Sequence, residues 1–467
     1  MNFFQQQQLL LSFFLIFLGV PVLAQDTEAT RLLKEQNKYI EKEIIQISDK
    51  VYTAVGFDVS NITMVIGKDS LLIIDTGMIP RLVKEVWAEF RKITNKPVKA
   101  IIFTHGHGDH TRGASVFKGE DDVQIWARGN YGHETQVAAH AGLVNRKRPF
   151  SQGGFLLPPE LRINNGIAIA VYPTPDGKPM KPPKAGAAGP ARTNFDAGIV
   201  PTHTFEGSSK KLEIDGVKVE LYAAPGETDD QLYVWLPEEK VLCSGDNFYR
   251  SWPNLYAIRG TAYRDVQAWV QSLSSMIEKD ADAVIPGHTR PFVGKEEVKS
   301  ALTNYRDAVQ FVFDKTVEGI GKGLGPDDLV EYVQLPERFA KLDYLREYYG
   351  RIDHSVRSIH NGYLGWFDGN ATSLVPLPPK EEALRMAQLV GGTSKLIKKA
   401  AKALKQKDYQ WTAQLCDYAI RLAPANPKPK LLKAAALTAL GMNTHTAITR
   451  NYYLTSAMLL RISARAE

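Results

Sequence analysis

From Val51 to about Phe292 the chain alternates short apolar runs with clusters of Gly, Pro and Asp. The runs include Val51-Tyr-Thr-Ala-Val, Asn61-Ile-Thr-Met-Val-Ile, Leu71-Leu-Ile-Ile, Ala100-Ile-Ile-Phe103, Val219-Glu-Leu-Tyr and Leu232-Tyr-Val-Trp-Leu. Their β-branched and aromatic content and their punctuation predict strands. Between them, apolar residues recur at helical spacing over Arg81–Ile93 and Tyr263–Ile277, which predicts helices. Strands interleaved with helices imply an α/β layered domain. Tyr172–Pro190, dense in Pro, Gly and Lys, reads as a long surface loop, either a linker or a lid. After about Val293 helical periodicity takes over to the end, punctuated by Pro376-Leu-Pro-Pro379.

Within that helical part, Lys399–Leu440 resembles a tetratricopeptide helix pair, which cannot hide its apolar face alone and so implies packing on other helices or on a second subunit. Lys395, Lys398, Lys399, Lys402, Lys405 and Lys407 follow helical spacing and read as a solvated face. The length, 467 residues, suggests two or three domains, and 44% hydrophobic with 23% charged residues is globular. A net charge of +6 comes from 57 basic against 51 acidic residues scattered along the chain. That pattern argues against nucleic acid as a partner. Two cysteines, Cys243 and Cys416, supply no disulfide framework, and Cys243 sits in an apolar run that predicts a buried strand.

The first 24 residues carry no Lys, Arg, Asp or Glu, and the apolar run Leu9–Val20 precedes Pro21-Val-Leu-Ala24. This reads as an export signal at 1–24, cut after Ala24. The run is shorter than the roughly 20 residues a membrane span needs, so the expectation is a secreted or periplasmic protein with no stable membrane insertion.

The densest chemistry is Thr104-His105-Gly106-His107-Gly108-Asp109-His110, directly after the apolar strand Ala100–Phe103. Three imidazoles and a carboxylate so close together are hard to explain as packing. Imidazoles at i and i+2 on extended chain point the same way, so His105 and His107 can grip one metal ion. Asp109 and His110, beyond the small hinge at Gly108, can turn toward a second.

These residues resemble the HxHxDH signature of the metallo-β-lactamase superfamily, whose fold is an αββα sandwich with one or two zinc ions in a cleft at the sheet edges. Further matches follow in order. Leu71-Leu-Ile-Ile-Asp75-Thr-Gly77 resembles the acidic turn behind the metal site. Ala224-Pro-Gly226-Glu227-Thr228-Asp229-Asp230 stands where the superfamily commonly has Pro-Gly-His-Thr. Leu242-Cys-Ser-Gly245-Asp246 resembles the strand whose last carboxylate bridges the metals, and Ile285-Pro-Gly287-His288 supplies a last ligand. The resemblance implies His105, His107 and Glu227 on one zinc, Asp109, His110 and His288 on the other, and Asp246 between, with Asp109 and Asp246 as catalytic carboxylates. Nitrogen and oxygen donors without sulfur suit zinc, and the same set also takes manganese or iron.

A carboxylate at 227 is similar to the alkylsulfatases of that superfamily. Their pattern also places a sulfate-binding Asn and Arg at the offsets of Asn254 and Arg259, and a helical dimerisation domain next in the chain, which Tyr363-Leu-Gly-Trp-Phe-Asp368 and Arg450-Asn-Tyr-Tyr-Leu-Thr resemble. Three departures stand out. Asp246 replaces a Glu of the best-known members. The loop after Gly226 is one residue shorter, leaving Glu227 or Asp229 as the third ligand. The chain also stops at Glu467, where the family usually continues into a sterol-carrier-like domain thought to hold alkyl chains, which counts against long-chain alkyl substrates and leaves the chain length open.

The resemblance therefore implies a signal at 1–24, a metallo-β-lactamase-like catalytic domain at 25–300 and a helical dimerisation domain at 301–467. In fold class this is an α/β αββα sandwich followed by an all-α domain. The implied activity is zinc-dependent hydrolysis of alkyl sulfate esters to alcohol and sulfate by a homodimer, with a metal-bridging hydroxide as nucleophile. Alternatives are a lactonase, lactamase or thioester hydrolase, since the same centre polarises carbonyls, or a non-catalytic metal-bearing dimeric binding protein. Trp252, Tyr256 and Trp366 are candidate channel walls or core residues, with Trp366 expected in the core.

Overall fold

The computed structural model describes residues 26–119, 122–140, 147–182 and 199–465. The proposed signal at 1–24 and the part of the Pro/Gly/Lys-rich loop from 183 onward lie outside the described residues. The first sheet has seven strands in sequential order: β1 (Glu43–Gln46), β2 (Val51–Val55), β3 (Ile62–Ile66), β4 (Leu71–Ile74), β5 (Val98–Ile102), β6 (Gln124–Arg128) and β7 (His203–Phe205). Pairing is antiparallel from β1 to β4 and parallel from β4 to β7. The second sheet has six: β8 (Ser209–Ile214), β9 (Val217–Ala223), β10 (Leu232–Leu236), β11 (Val241–Gly245), β12 (Ala283–Pro286) and β13 (Phe292–Val293). Its β11–β12 pair is parallel and its other pairs antiparallel.

The period-two alternation of each strand explains why the sheets stack. Leu72 and Ile74 of β4 meet Leu232, Val234 and Leu236 of β10 in a core between the sheets. Leu71 and Ile73 point the other way, onto Val83, Val86 and Phe90 of the helix Pro80–Ile93. On the far side, Tyr233 and Trp235 of β10 pack with Trp269, Leu273 and Met276 of the helix Val266–Ile277 and with the long helix Lys295–Gly321. The result is the four-layer αββα arrangement, with central strands such as β4 and β10 buried on both faces. The helix expected from Tyr263 opens at Val266 instead, because Asp265 caps it by accepting from the amides of Gln267 and Ala268.

The remainder is helical: Ile352–Leu364, Pro379–Leu389, Thr393–Lys405, Tyr409–Leu422, Pro427–Met442 and Ala447–Arg465 are its main helices. Pro379 and Pro427 stand at first helical positions, and Asp408 and Asn426 cap the helices that follow them. Small residues such as Ala413, Ala434, Ala436 and Ala457 let these helices approach closely. Cys243 and Cys416 are buried free thiols. Trp252 is core, its indole N–H donating to the Ser355 hydroxyl. Trp366 is not: it is 72% exposed, because the helix before it ends at Gly365, whose φ of 77° turns the chain out to the surface. Among the described residues no helix is long and apolar enough to cross a membrane.

Candidate metal centre

The ends of β4, β5, β9, β11 and β12 converge at one edge of the sandwich, and the candidate ligands sit on the turns that leave them. Asp75 follows β4 in the left-handed region at φ 55°, and its carboxylate accepts from the Thr104 amide, the Thr104 hydroxyl and Nδ1 of His110 at 2.7–2.8 Å. It thus pins the loop after β5 from behind and fixes which nitrogen of His110 faces forward. His288, after β12, is fixed in the same way, with Nδ1 donating to the Val59 carbonyl at 2.8 Å. His105 Nδ1 meets the Thr104 hydroxyl at 3.1 Å. Three imidazoles are therefore anchored at Nδ1 and present Nε2 to a common space, the arrangement metal-binding histidines use.

In that space His110 Nε2 lies 3.3 Å from Asp246 Oδ1 and 3.8 Å from Asp109 Oδ2. His288 Nε2 lies 3.1 Å from Asp246 Oδ2 and 3.6 Å from Asp109 Oδ2. His105 Nε2 is 3.9 Å from Asp246 Oδ2, and His107 Nδ1 is 3.9 Å from Glu227 Oε1. Three ligand groups have donor atoms mutually within 4.8 Å: Asp109 with His110 and His288, His107 with Glu227 and Asp246, and His105 with His110 and Asp246. Asp246 belongs to two of them, as a residue between two ions would. Of the two candidates for the third ligand, Glu227 is 2% exposed beside His107, while Asp229 turns outward to His133 at 2.6 Å.

Two glycines are required by close approach. A Cβ on Gly287 would sit 2.2 Å from Asp246 Oδ1, and one on Gly226 would sit 2.2 Å from Asn247 Oδ1. Asn247 in turn accepts from the Glu227 amide and donates to the Ala224 carbonyl, locking the turn that carries Glu227.

The electrostatics are those of a charge cluster that burial strains. Burial, with His110 and His107 as neighbours, pushes His105 well below its ordinary value. Burial also opposes charging His110 and His288, yet Asp246 raises both, joined by Asp75 at His110. Burial alone would raise Asp246, but His288 and His110 pull it well below the usual carboxylate range. Glu227 goes up, because burial outweighs the pull of Arg264. His110 Nε2, Asp246 Oδ1 and Glu227 Oε2 are buried without a hydrogen-bond partner among the described residues. Orphaned donor atoms of this kind, gathered in one place, fit divalent cations and little else.

The matches to known proteins divide the chain in the same way. Residues 55–288 match the metallo-beta-lactamase superfamily, and residues 325–463 match a family described as alkyl sulfatase dimerisation. A linear primary-alkylsulfatase from a Pseudomonas species is 38% identical over 399 residues, spanning 85% of this chain and 73% of its own. The chain belongs to the alkylsulfatases of the metallo-β-lactamase superfamily. An alkyl/aryl-sulfatase of Saccharomyces cerevisiae is 30% identical over 90% of this chain, which spans 64% of the yeast protein's length. The structure of a stereoselective inverting sec-alkylsulfatase from Pseudomonas superposes with a TM-score of 0.82 at 26% identity, covering 95% of this chain and 69% of that one.

In this alkylsulfatase-family cleft, a cavity of about 170 Å³ is lined by His107, Gly108, Asp109, Glu227, Asp246, Arg259 and Tyr349. Arg259 Nη2 reaches within 3.2 Å of His107 Nε2. Asn254 is 1% exposed, and both its side-chain polar atoms lack a partner among the described residues. Tyr256 does not line this cavity, and its hydroxyl lies 3.5 Å from Arg148 Nη2. Three residues of the alkylsulfatase site escaped sequence reasoning. Tyr349 lines the cavity, with burial raising its phenol to about 12. Glu134 approaches His107 Nε2 at 3.8 Å, and Arg264 pairs with Glu227 at 2.8 Å. No motif announces any of them, since each reaches the site through a tertiary contact far from the ligand turns in sequence.

Proposed function

We propose that this protein hydrolyses alkyl sulfate esters to alcohol and sulfate, using two zinc ions held by His105, His107 and Glu227 on one side, Asp109, His110 and His288 on the other, and Asp246 between. The observation that carries the reading is a cationic guanidinium, Arg259, on the wall of a cleft whose other side chains are three carboxylates, one imidazole and the Tyr349 phenol. A site for a neutral lactone or lactam has no need of it, whereas a sulfate head group does.

When bound, a pair of divalent cations makes a water nucleophilic at neutral pH and offsets charge on the leaving oxygen. The protein's own groups do the rest. Arg259 presents a planar fork of donors to two sulfate oxygens, and the Asn254 amide adds a neutral donor. Asp75 and the Val59 carbonyl hold His110 and His288 through Nδ1, so Nε2 is the nitrogen each presents to the ligand space. Burial of Asp246 and Glu227 keeps bulk water from solvating the charges the substrate must meet. The linear primary-alkylsulfatase similarity supports the substrate class. The dimerisation-family match and the exposed Tyr363, Leu364, Trp366, Leu374 and Val375 support a homodimer. The uncharged, apolar residues 1–24 support export.

The test is a panel of metal-loaded protein with alkyl sulfates of several chain lengths, a lactone, a lactam and a thioester. Sulfate esters alone should turn over, and Arg259→Ala should lower kcat/KM by about 100-fold, equivalent to about 2.7 kcal/mol of head-group binding. Sulfate-ester turnover with KM and kcat unchanged in that variant, or turnover of the carbonyl substrates alone, contradicts the reading.

A further inference from the structure

Arg264 is 3% exposed and lies just before the cap of the helix Val266–Ile277, outside the turns that carry the candidate ligands. Its fork reaches two of the residues on which the proposed chemistry depends. Nη2 lies 2.8 Å from Glu227 Oε1, and Nη1 donates to the Asn254 backbone carbonyl at 2.5 Å. The Asn254 amide is held as well, donating to the Tyr249 hydroxyl at 2.8 Å, so the peptide around Asn254 is gripped at both ends.

The consequence for Glu227 lies in how its two oxygens divide. Oε1 is taken by the guanidinium, whereas Oε2 is buried and has no hydrogen-bond partner among the described residues. The backbone amide of Glu227 is fixed by Asn247 at 3.1 Å. With its amide and one carboxylate oxygen both held, the Glu227 carboxylate is fixed in one orientation beside His107, whose Nδ1 lies 3.9 Å from the same Oε1. A carboxylate buried without Arg264 would be an uncompensated charge, free to turn either oxygen inward or to stay protonated.

We propose that Arg264 is a positioning residue that holds the Glu227 carboxylate toward one metal ion and, through the other arm of the same guanidinium, sets the Asn254 segment against the head group. It thereby ties occupancy of that metal position to the grip on substrate. The inference rests on Glu227 being a metal ligand, as proposed above. A lysine cannot replace it, because a single ammonium is not a planar fork and does not reach both partners in one geometry.

The experiment is zinc binding to metal-free wild type and Arg264→Lys, by calorimetry and chelator competition, alongside thermal melts of both metal-free proteins and steady-state kinetics on hexyl sulfate. R264K should lose about 10-fold or more in affinity for one of two ions, the usual cost of removing a ligand's supporting partner. The other ion should stay within about twofold, and KM should rise more than kcat falls. Should R264K fold poorly, Arg264→Gln keeps a donor for the Asn254 carbonyl while removing the positive charge that faces Glu227, and the same selective loss is expected. Wild-type affinity for both ions contradicts the proposal, and so does a parallel loss at both with a lowered melting temperature, which is what a purely structural ion pair gives. Failure of the wild type to release sulfate from any ester would sink the sulfatase reading but leave this affinity comparison standing.

Discussion

The two halves of the molecule bury and expose the opposite things. At the edge of the sandwich, Asp75, His105, His110, Glu227, Asp246, Arg264 and His288 are all under 4% exposed, a concentration of charge that water would normally claim. In the helical half, Trp366, Val375 and Leu389 are 72%, 88% and 81% exposed, a concentration of apolar surface that water normally excludes. Each breaks the usual partition between core and surface, and each makes sense once something outside the chain is supplied: cations in the first case, a second copy in the second. An isolated domain read by burial alone would class both regions as faults.

The largest effect that breaks this comparison is at the cleft. Stripping the metal with a chelator, or Asp246→Ala, should lower sulfate release by about 10³-fold or more while leaving the assembly state, read by sedimentation, unchanged. Loss of the dimer on chelation would instead make the two regions one unit. Next comes Asp75→Asn, which leaves the candidate ligands intact but weakens the acceptor for His110 Nδ1; metal affinity measured by competition should drop about 10- to 100-fold, and an unchanged affinity would remove Asp75 from the account.

On the other side, Trp366→Asp with Val375→Asp should weaken self-association by about 30-fold, the effect of losing a hot spot of about 2 kcal/mol, with metal content per chain held. An unaltered sedimentation profile would show that this apolar face is not where the copies meet.

The smallest effect sharpens what burial does near the cleft. Asp58 is buried, accepts from the amides of Val59, Met78 and Ile79, and burial raises it to about 6. A folded-state value above the ordinary one means the native state holds a proton the unfolded chain has released. That contribution is complete below about pH 4 and is lost as pH rises through about 6. In metal-free protein the melting temperature of wild type minus that of Asp58→Asn should therefore shrink by a few degrees between pH 4 and pH 7. A gap constant with pH would mean Asp58 stays charged throughout.

Much of this was legible in the chain because it is local. The alternation in β4 and β10 sets the faces of both sheets, and Thr104–His110 carries four donor groups on one short loop, so strands and motif declare themselves. Glu227, Asp246 and His288 needed the resemblance, since each alone is an ordinary surface residue until the strand ends bring it in. Tyr349, Glu134 and Arg264 were illegible, because their place depends on how the helices and loops pack on the sandwich. Trp366 was misassigned for a related reason. A large aromatic is core by default, and only the turn at Gly365 puts this one outside.

The central claim is a centre for two cations assembled from His105, His107, Asp109, His110, Glu227, Asp246 and His288, and counting the ions tests it most directly. Zinc titrated into metal-free protein by calorimetry, with elemental analysis of the loaded product, should give two ions per chain, falling to one or fewer in Asp246→Ala. One ion per chain in the wild type, or two in both proteins, would contradict it.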